Sequence, residues 1–203
     1  MYVLAVTGGI GSGKTTAVCR FREWGAVVLE LDVIAKQMTA ADGPLVDAVV
    51  AEFGPDVRGT DGGVDAVKLA EVAFASVEAA CRLNAVVHPG VQVAAAGALD
   101  MLAAQPTPPD VVVVDIPLLV EAPGFFELFD AVLAISASED VRLERILARG
   151  MTEDDAHARM LCQANDHERR EIADWVIEND GTEEEFRVEL KRFWAGEVLP
   201  RVS

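Results

Sequence analysis

Residues 2–15 read Tyr2-Val3-Leu4-Ala5-Val6-Thr7-Gly8-Gly9-Ile10-Gly11-Ser12-Gly13-Lys14-Thr15. The opening residues are an apolar, strand-sized run. From Gly8 onward the chain matches GxxxxGK(S/T) in full, and a helix is predicted from about Lys14 to Trp24. Strand, glycine-rich loop and helix start, in that order, are the context a phosphate-binding loop requires. Glycines let successive backbone N–H groups converge on phosphate oxygens, and the helix N-terminus adds its positive end. Lys14 is placed to reach the β- and γ-phosphates of a nucleoside triphosphate, and the Thr15 hydroxyl to coordinate Mg²⁺. With Gly9, Gly11, Ser12, Gly13 and Thr16 they form the candidate nucleotide-binding set.

Outward from this loop the chain alternates strands and helices. Gly25 stops the first helix, and Ala26-Val27-Val28-Leu29 reads as a second strand. From about residue 38 to 105 the pattern is helical, punctuated by Gly43-Pro44, Gly54-Pro55, Gly59 to Gly63 and His88-Pro89-Gly90. Pro106-Thr107-Pro108-Pro109 leads into Val111-Val112-Val113-Val114-Asp115, which reads as a central parallel strand buried on both faces. Ala131 to Ile135 and Trp175 to Ile177 supply further strands, and an amphipathic helix is expected from Glu183 to Ala195. The expected fold is α/β: a parallel-sheet P-loop NTPase core over 1–37 and 106–203, a helical lid at about 138–172, and a helical domain inserted at 38–105.

The composition limits what the loop can serve. The chain has 203 residues, 17 Lys plus Arg against 34 Asp plus Glu, and a formal net charge of -17. Nucleic acid and anionic membranes call for broad positive surfaces, so neither is an expected partner. An anionic ligand must instead be held by a local positive site. Cys19, Cys81 and Cys162 form no CxxC pair, which fits a reducing cytosol, and they are expected to be small core residues. No basic-then-apolar leader opens the chain, and its longest apolar runs are strand-sized, so a soluble cytoplasmic protein is expected.

Three further features bear on chemistry. Asp115 ends a four-valine strand, where P-loop proteins hold a Mg²⁺-bound water; it also suits a turn cap before Pro117. Asp32 follows the second strand, at the carboxyl edge where open α/β sheets bind ligands. It suits a base for an acceptor hydroxyl, and equally a helix N-cap. Arg142, Arg145, Arg149, Arg159, Arg169 and Arg170 crowd into about thirty residues of an acidic chain. They read either as a lid that neutralises a transferring phosphoryl group or as an ion-paired surface helix. No guanine-reading NKxD segment is present, and the chain is short for an ATP-driven motor.

Together these segments resemble the dephospho-CoA kinase family. Thr7–Thr16 resembles its TGGIGSGK loop, and Leu31–Lys36 the end of its DADxIAR segment. Val87–Val91 is similar to its HPxV turn, and Asp115–Glu121 to its DxPLLxE strand end. Arg145 and Arg149 match its RxxxR lid, and Ala173–Gly181 its ADxVIxNxG close. Three departures stand out. Glu30 replaces the first Asp of DAD, Lys36 replaces an Arg and loses its bidentate geometry, and the lid after Arg149 is one residue shorter.

The resemblance implies phosphorylation of the ribose 3′-hydroxyl of dephospho-CoA by ATP, with Mg²⁺, as the last step of coenzyme A synthesis. It implies Asp32, Lys14 and Arg145 as catalytic residues and Arg149 as a further nucleotide contact. Asp32, Lys36, His88, Leu118 and Glu121 would line the acceptor site, with Thr15 and Asp115 serving the metal and 38–105 as the CoA-side domain. His88 suits a structural or lining role, and Glu121 either metal waters or an arginine. Two other readings stay open: a P-loop kinase of another small alcohol or nucleoside, and a nucleotide-binding regulator.

Overall fold

The apolar run behind the loop forms strand β1 (Tyr2–Thr7), and it takes the middle of a five-stranded sheet. The computed structural model describes residues 1–73 and 75–202. The other strands are β2 (Val27–Glu30), β3 (Val111–Asp115), β4 (Ala131–Ser136) and β5 (Trp175–Glu178), in the order β2-β3-β1-β4-β5. β1 runs parallel to β3 with Tyr2 opposite Val111 and Val6 opposite Asp115, and parallel to β4 with Leu4 opposite Ala131. β4 pairs in parallel with β5. The four-valine strand is therefore buried and flanked on both sides as expected, but β1 is the central one.

Alternation along these strands divides the core. Leu4, Val6, Val111, Val113, Leu133, Ile135 and Ile177 face one way and meet Phe21 of helix α1 (Lys14–Glu23) in a single apolar cluster. Val3, Ala5, Val112, Val114, Val132 and Ala134 are buried as well, so the sheet is covered on both faces. Gly25, at φ 103°, ends α1: its N–H donates to the Arg22 carbonyl and that of Ala26 to Phe21. That pair of bonds is a Schellman cap, which only a left-handed residue closes cheaply.

Phe21 is fully buried, stacked on Trp194 at 5.2 Å and tilted against Trp24 and Phe193. Truncating it removes the hub of this aromatic group. Phe21→Ala should cost about 3–5 kcal/mol, read as a fall in Tm of roughly 6–20 °C. A melt unchanged within error would show that the group repacks.

The chain divides into two compact units, residues 1–29 with 102–203, and residues 30–101. The second contains α2 (Leu31–Thr39), α3 (Val46–Phe53), α4 (Ala66–Ala73) and most of α5 (Val77–Ala103). Gly43-Pro44 separates α2 from α3, and Gly54, at φ 93°, ends α3. The first unit adds α6 (Glu139–Ala148), α7 (Glu153–Leu161), α8 (Asp166–Glu171) and α9 (Glu183–Phe193), the last continued by a π-helical turn to Val198.

Two expectations are corrected. His88-Pro89-Gly90 is not a break; it lies inside the 27-residue α5. A proline there removes the bond that its N–H would make to the Ala85 carbonyl, yet one missing bond does not end a helix carried by its neighbours. The three cysteines are exposed free thiols rather than core residues, because helix phase and not residue type decides which face they occupy. The span Glu78–Ala103 is long and apolar enough to cross a membrane by length and composition.

Candidate active site

The parallel register fixes the site. Because Val6 stands opposite Asp115, the strand that delivers the glycine loop ends beside the one that delivers the acid. Lys14 Nζ donates to Asp115 Oδ1, forming a largely buried ion pair at the head of α1. The Ile116 N–H bonds the Val6 carbonyl at 3.1 Å, holding the two strand ends together.

The loop is shaped from outside by side chains remote in sequence. Arg142 Nε donates to the Ile10 carbonyl at 3.0 Å, and Arg145 Nη1 to that of Gly11 at 3.5 Å. Asn179 Nδ2 donates to the Ser12 carbonyl at 2.7 Å, and Arg145 Nη2 reaches Asn179 Oδ1 at 3.4 Å. Three successive carbonyls are thus held by side chains remote in sequence. Gly11 (φ 81°) and Gly13 (φ 100°) adopt left-handed conformations. A Cβ on Gly11 would lie 2.7 Å from the Arg142 carbonyl, and one on Gly13 would strike the Asn179 amide. Gly13 also caps α1 without a side-chain bond, so the cap residue offers the first-turn N–H groups no acceptor of its own.

The arginines of the cluster occupy different surroundings. Arg142 is buried against the loop, which lowers its pKa by desolvation, and Arg145 joins it there. Arg170 is an ion-paired surface residue, bonded to Asp166 at 2.6 Å and Glu178 at 2.5 Å. Those carboxylates raise its pKa. Arg149 is exposed at the C-cap of α6. Beside these helices lies a cleft of about 640 Å³, lined by Ser136, Ser138, Arg142, Gln163, Glu178 and Asp180 among others.

Thr15 and Thr16 stand in the first turn of α1. Leu118 is half-buried beyond β3, and Glu121 Oε1 accepts the Ala164 N–H at 2.7 Å. Asp32, Lys36 and His88 belong to the second unit. Asp32 occupies the first turn of α2 and Lys36 its last, both exposed, at the i, i+4 spacing that puts them on one face. His88 is half-buried within α5.

Four residues of the loop's surroundings lay outside the sequence-derived site. Asn179 had a signal, since it ends the last strand in the ADxVIxNxG segment. Gln163, whose Oε1 accepts the Ile10 N–H at 2.9 Å, had none. Arg142 and Arg169 were two of six clustered arginines, with nothing in their spacing to mark them as the buried ones.

Comparison with known proteins supplies the family. The family model described as dephospho-CoA kinase matches residues 2–185. A dephospho-CoA kinase of Streptomyces avermitilis is 41% identical over 196 residues, covering 96% of this chain and 93% of that one. One from Thermobifida fusca is 37% identical over 195 residues, covering 96% and 95%. Among solved structures, TT1252 from Thermus thermophilus is 32% identical with a TM-score of 0.75, covering 97% of each chain. A family match running through both units, together with relatives aligned over nearly their whole length, means that the chain belongs to the dephospho-CoA kinase family.

Proposed function

We infer that this protein phosphorylates the ribose 3′-hydroxyl of dephospho-CoA with ATP, giving coenzyme A and ADP. Family membership carries the reaction. One observation supports the residue roles: Lys14, paired with Asp115, heads a loop whose carbonyls are held by Arg142, Arg145 and Asn179.

In this reading the phosphates of ATP lie on the loop at Gly9, Gly11, Ser12, Gly13, Lys14, Thr15 and Thr16. Asp32 accepts the proton of the 3′-hydroxyl as that oxygen bonds to the γ-phosphorus. The bond to the β–γ bridging oxygen breaks, and ADP leaves. Lys14 and Arg145 offset charge as it moves onto the bridging oxygen. Arg149 adds a nucleotide contact from the end of α6. Lys36, His88, Leu118 and Glu121 position the acceptor, and residues 30–101 form the CoA-side unit. The helices α6 to α8 act as a lid that keeps water from the phosphoryl group.

Thr15 and Asp115 suit Mg²⁺, since hydroxyl and carboxylate oxygens are the hard donors it prefers. Among the described residues no group of three or more acidic, His or Cys side chains gathers as a metal cage. An ion here would therefore rely on nucleotide oxygens and water for its remaining ligands. Held by Thr15 and Asp115, Mg²⁺ would supply positive charge that offsets the charge of the nucleotide phosphates. The enzyme is assigned to the cytoplasm, as a step of coenzyme A synthesis.

The test is ADP release with ATP, Mg²⁺ and dephospho-CoA, with the product weighed by mass spectrometry. Acceptor-dependent release and a product heavier by one phosphate are expected. Release that ignores dephospho-CoA would overturn the acceptor assignment.

A further inference from the structure

Arg169, on α8, is the bulkiest of the fully buried side chains, with 1% of its surface exposed. Its Nε, Nη1 and Nη2 find no hydrogen-bond acceptor among the described residues. A guanidinium carries five donors and stays charged, so burying it without acceptors is costly. Burial lowers its pKa; Glu121 is near enough to offset part of that, but no hydrogen bond joins the two. Glu121 instead spends Oε1 on the Ala164 N–H, while its buried Oε2 also has no partner.

The position of this idle donor set is informative. A Cβ on Gly9 would lie 3.2 Å from Arg169 Nη1, and 3.0 Å from both Cζ and Nη1 of Arg142. Two guanidiniums thus crowd one residue of the phosphate-binding loop. Arg142 has an anchor, its Nε on the Ile10 carbonyl; Arg169 has none. Like charges so close, away from water, repel unless an anion sits between or beside them. The loop they border is the one that holds phosphate.

We propose that Arg169 is a catalytic residue that contacts the terminal phosphate of ATP, closing with Arg142 on the phosphoryl group beside Gly9. This rests on the kinase reading and deepens it. The group bound is a tetrahedral, multiply charged phosphate, which matches a planar fork of N–H donors. ADP lacks that phosphate, so Arg169 separates substrate nucleotide from product nucleotide. Being already dehydrated, it needs no reorganisation when charge moves toward the leaving oxygen.

The experiment is nucleotide titration with Mg²⁺, without acceptor, on the wild type, Arg169→Met and Arg169→Lys, with a melt of each ligand-free protein. Arg169→Met should weaken ATP roughly 10- to 100-fold while moving ADP by less than about threefold. Arg169→Lys keeps the charge but loses the fork, and should weaken ATP less, again with little effect on ADP. The ligand-free Tm of Arg169→Met should not fall, because the buried charge it removes has no hydrogen-bond partner.

Equal losses for ATP and ADP would overturn the proposal, as would no loss at all. So would a collapse of the ligand-free melt in both variants, which would make Arg169 structural. Because no acceptor is present, failure here leaves the dephospho-CoA assignment standing, and failure of that assay leaves this result readable.

Discussion

Asp32→Asn should fold, bind ATP as the wild type does, and lose turnover by roughly 10²–10⁴-fold, the range that a positioned general base supplies. The substitution changes a carboxylate to an amide of the same shape. Asp32 is exposed in the first turn of α2, so its packing cost is small. An amide cannot take up the proton of the 3′-hydroxyl, and no change in ATP affinity should accompany the loss. The measurement is kcat with saturating dephospho-CoA, beside an ATP titration and a thermal melt. Full turnover by Asp32→Asn would end its assignment as the base. A variant that melts early would show that the carboxylate serves α2 as a helix-start acid.

The second large effect belongs to Lys14. Lys14→Met keeps the length of the side chain but removes the cation, and should lower kcat/KM by roughly 10²–10³-fold, as for loss of one charge-stabilising donor. Its ion pair with Asp115 makes a second, separable expectation. Removing one partner of a largely buried pair leaves the other charge less compensated, so Lys14→Met should also melt below the wild type. Adding Asp115→Asn should recover part of the lost Tm while activity stays low. If the double variant regained turnover, charge balance rather than phosphate contact would be the task of Lys14.

The sheet and the loop were legible because their signals are local. A five-residue apolar run, eight loop residues and a helix start sit side by side, and Val111–Val114 can hardly be anything but a strand buried on both faces. The register was not legible, and with it went the company the loop keeps. Asn179 meets Ser12 across 167 positions, and Gln163 meets Ile10 across 153. Such partners are set by which strands lie side by side, a fact no local pattern contains. The six arginines show the same limit. Spacing put Arg142 and Arg145 on neighbouring faces, but only tertiary packing decided that they turn to the loop while Arg170 turns to Asp166 and Glu178. His88-Pro89-Gly90 failed for the opposite reason: its local signal is strong, and α5 overrides it.

The middle position of β1 has a consequence for how the protein is made. Once β1 has left the ribosome, it has no partner on either side until β3 and β4 are synthesised, more than a hundred residues later. At typical rates of about 5–20 residues per second, that is roughly 5–20 s with an apolar strand unpaired. The loop waits longer still, since the groups that hold its carbonyls are Arg142, Arg145 and Asn179. Bound nucleotide therefore cannot help the nascent chain fold from its beginning. β1 and its loop are complete only when residues 131–179 have joined them.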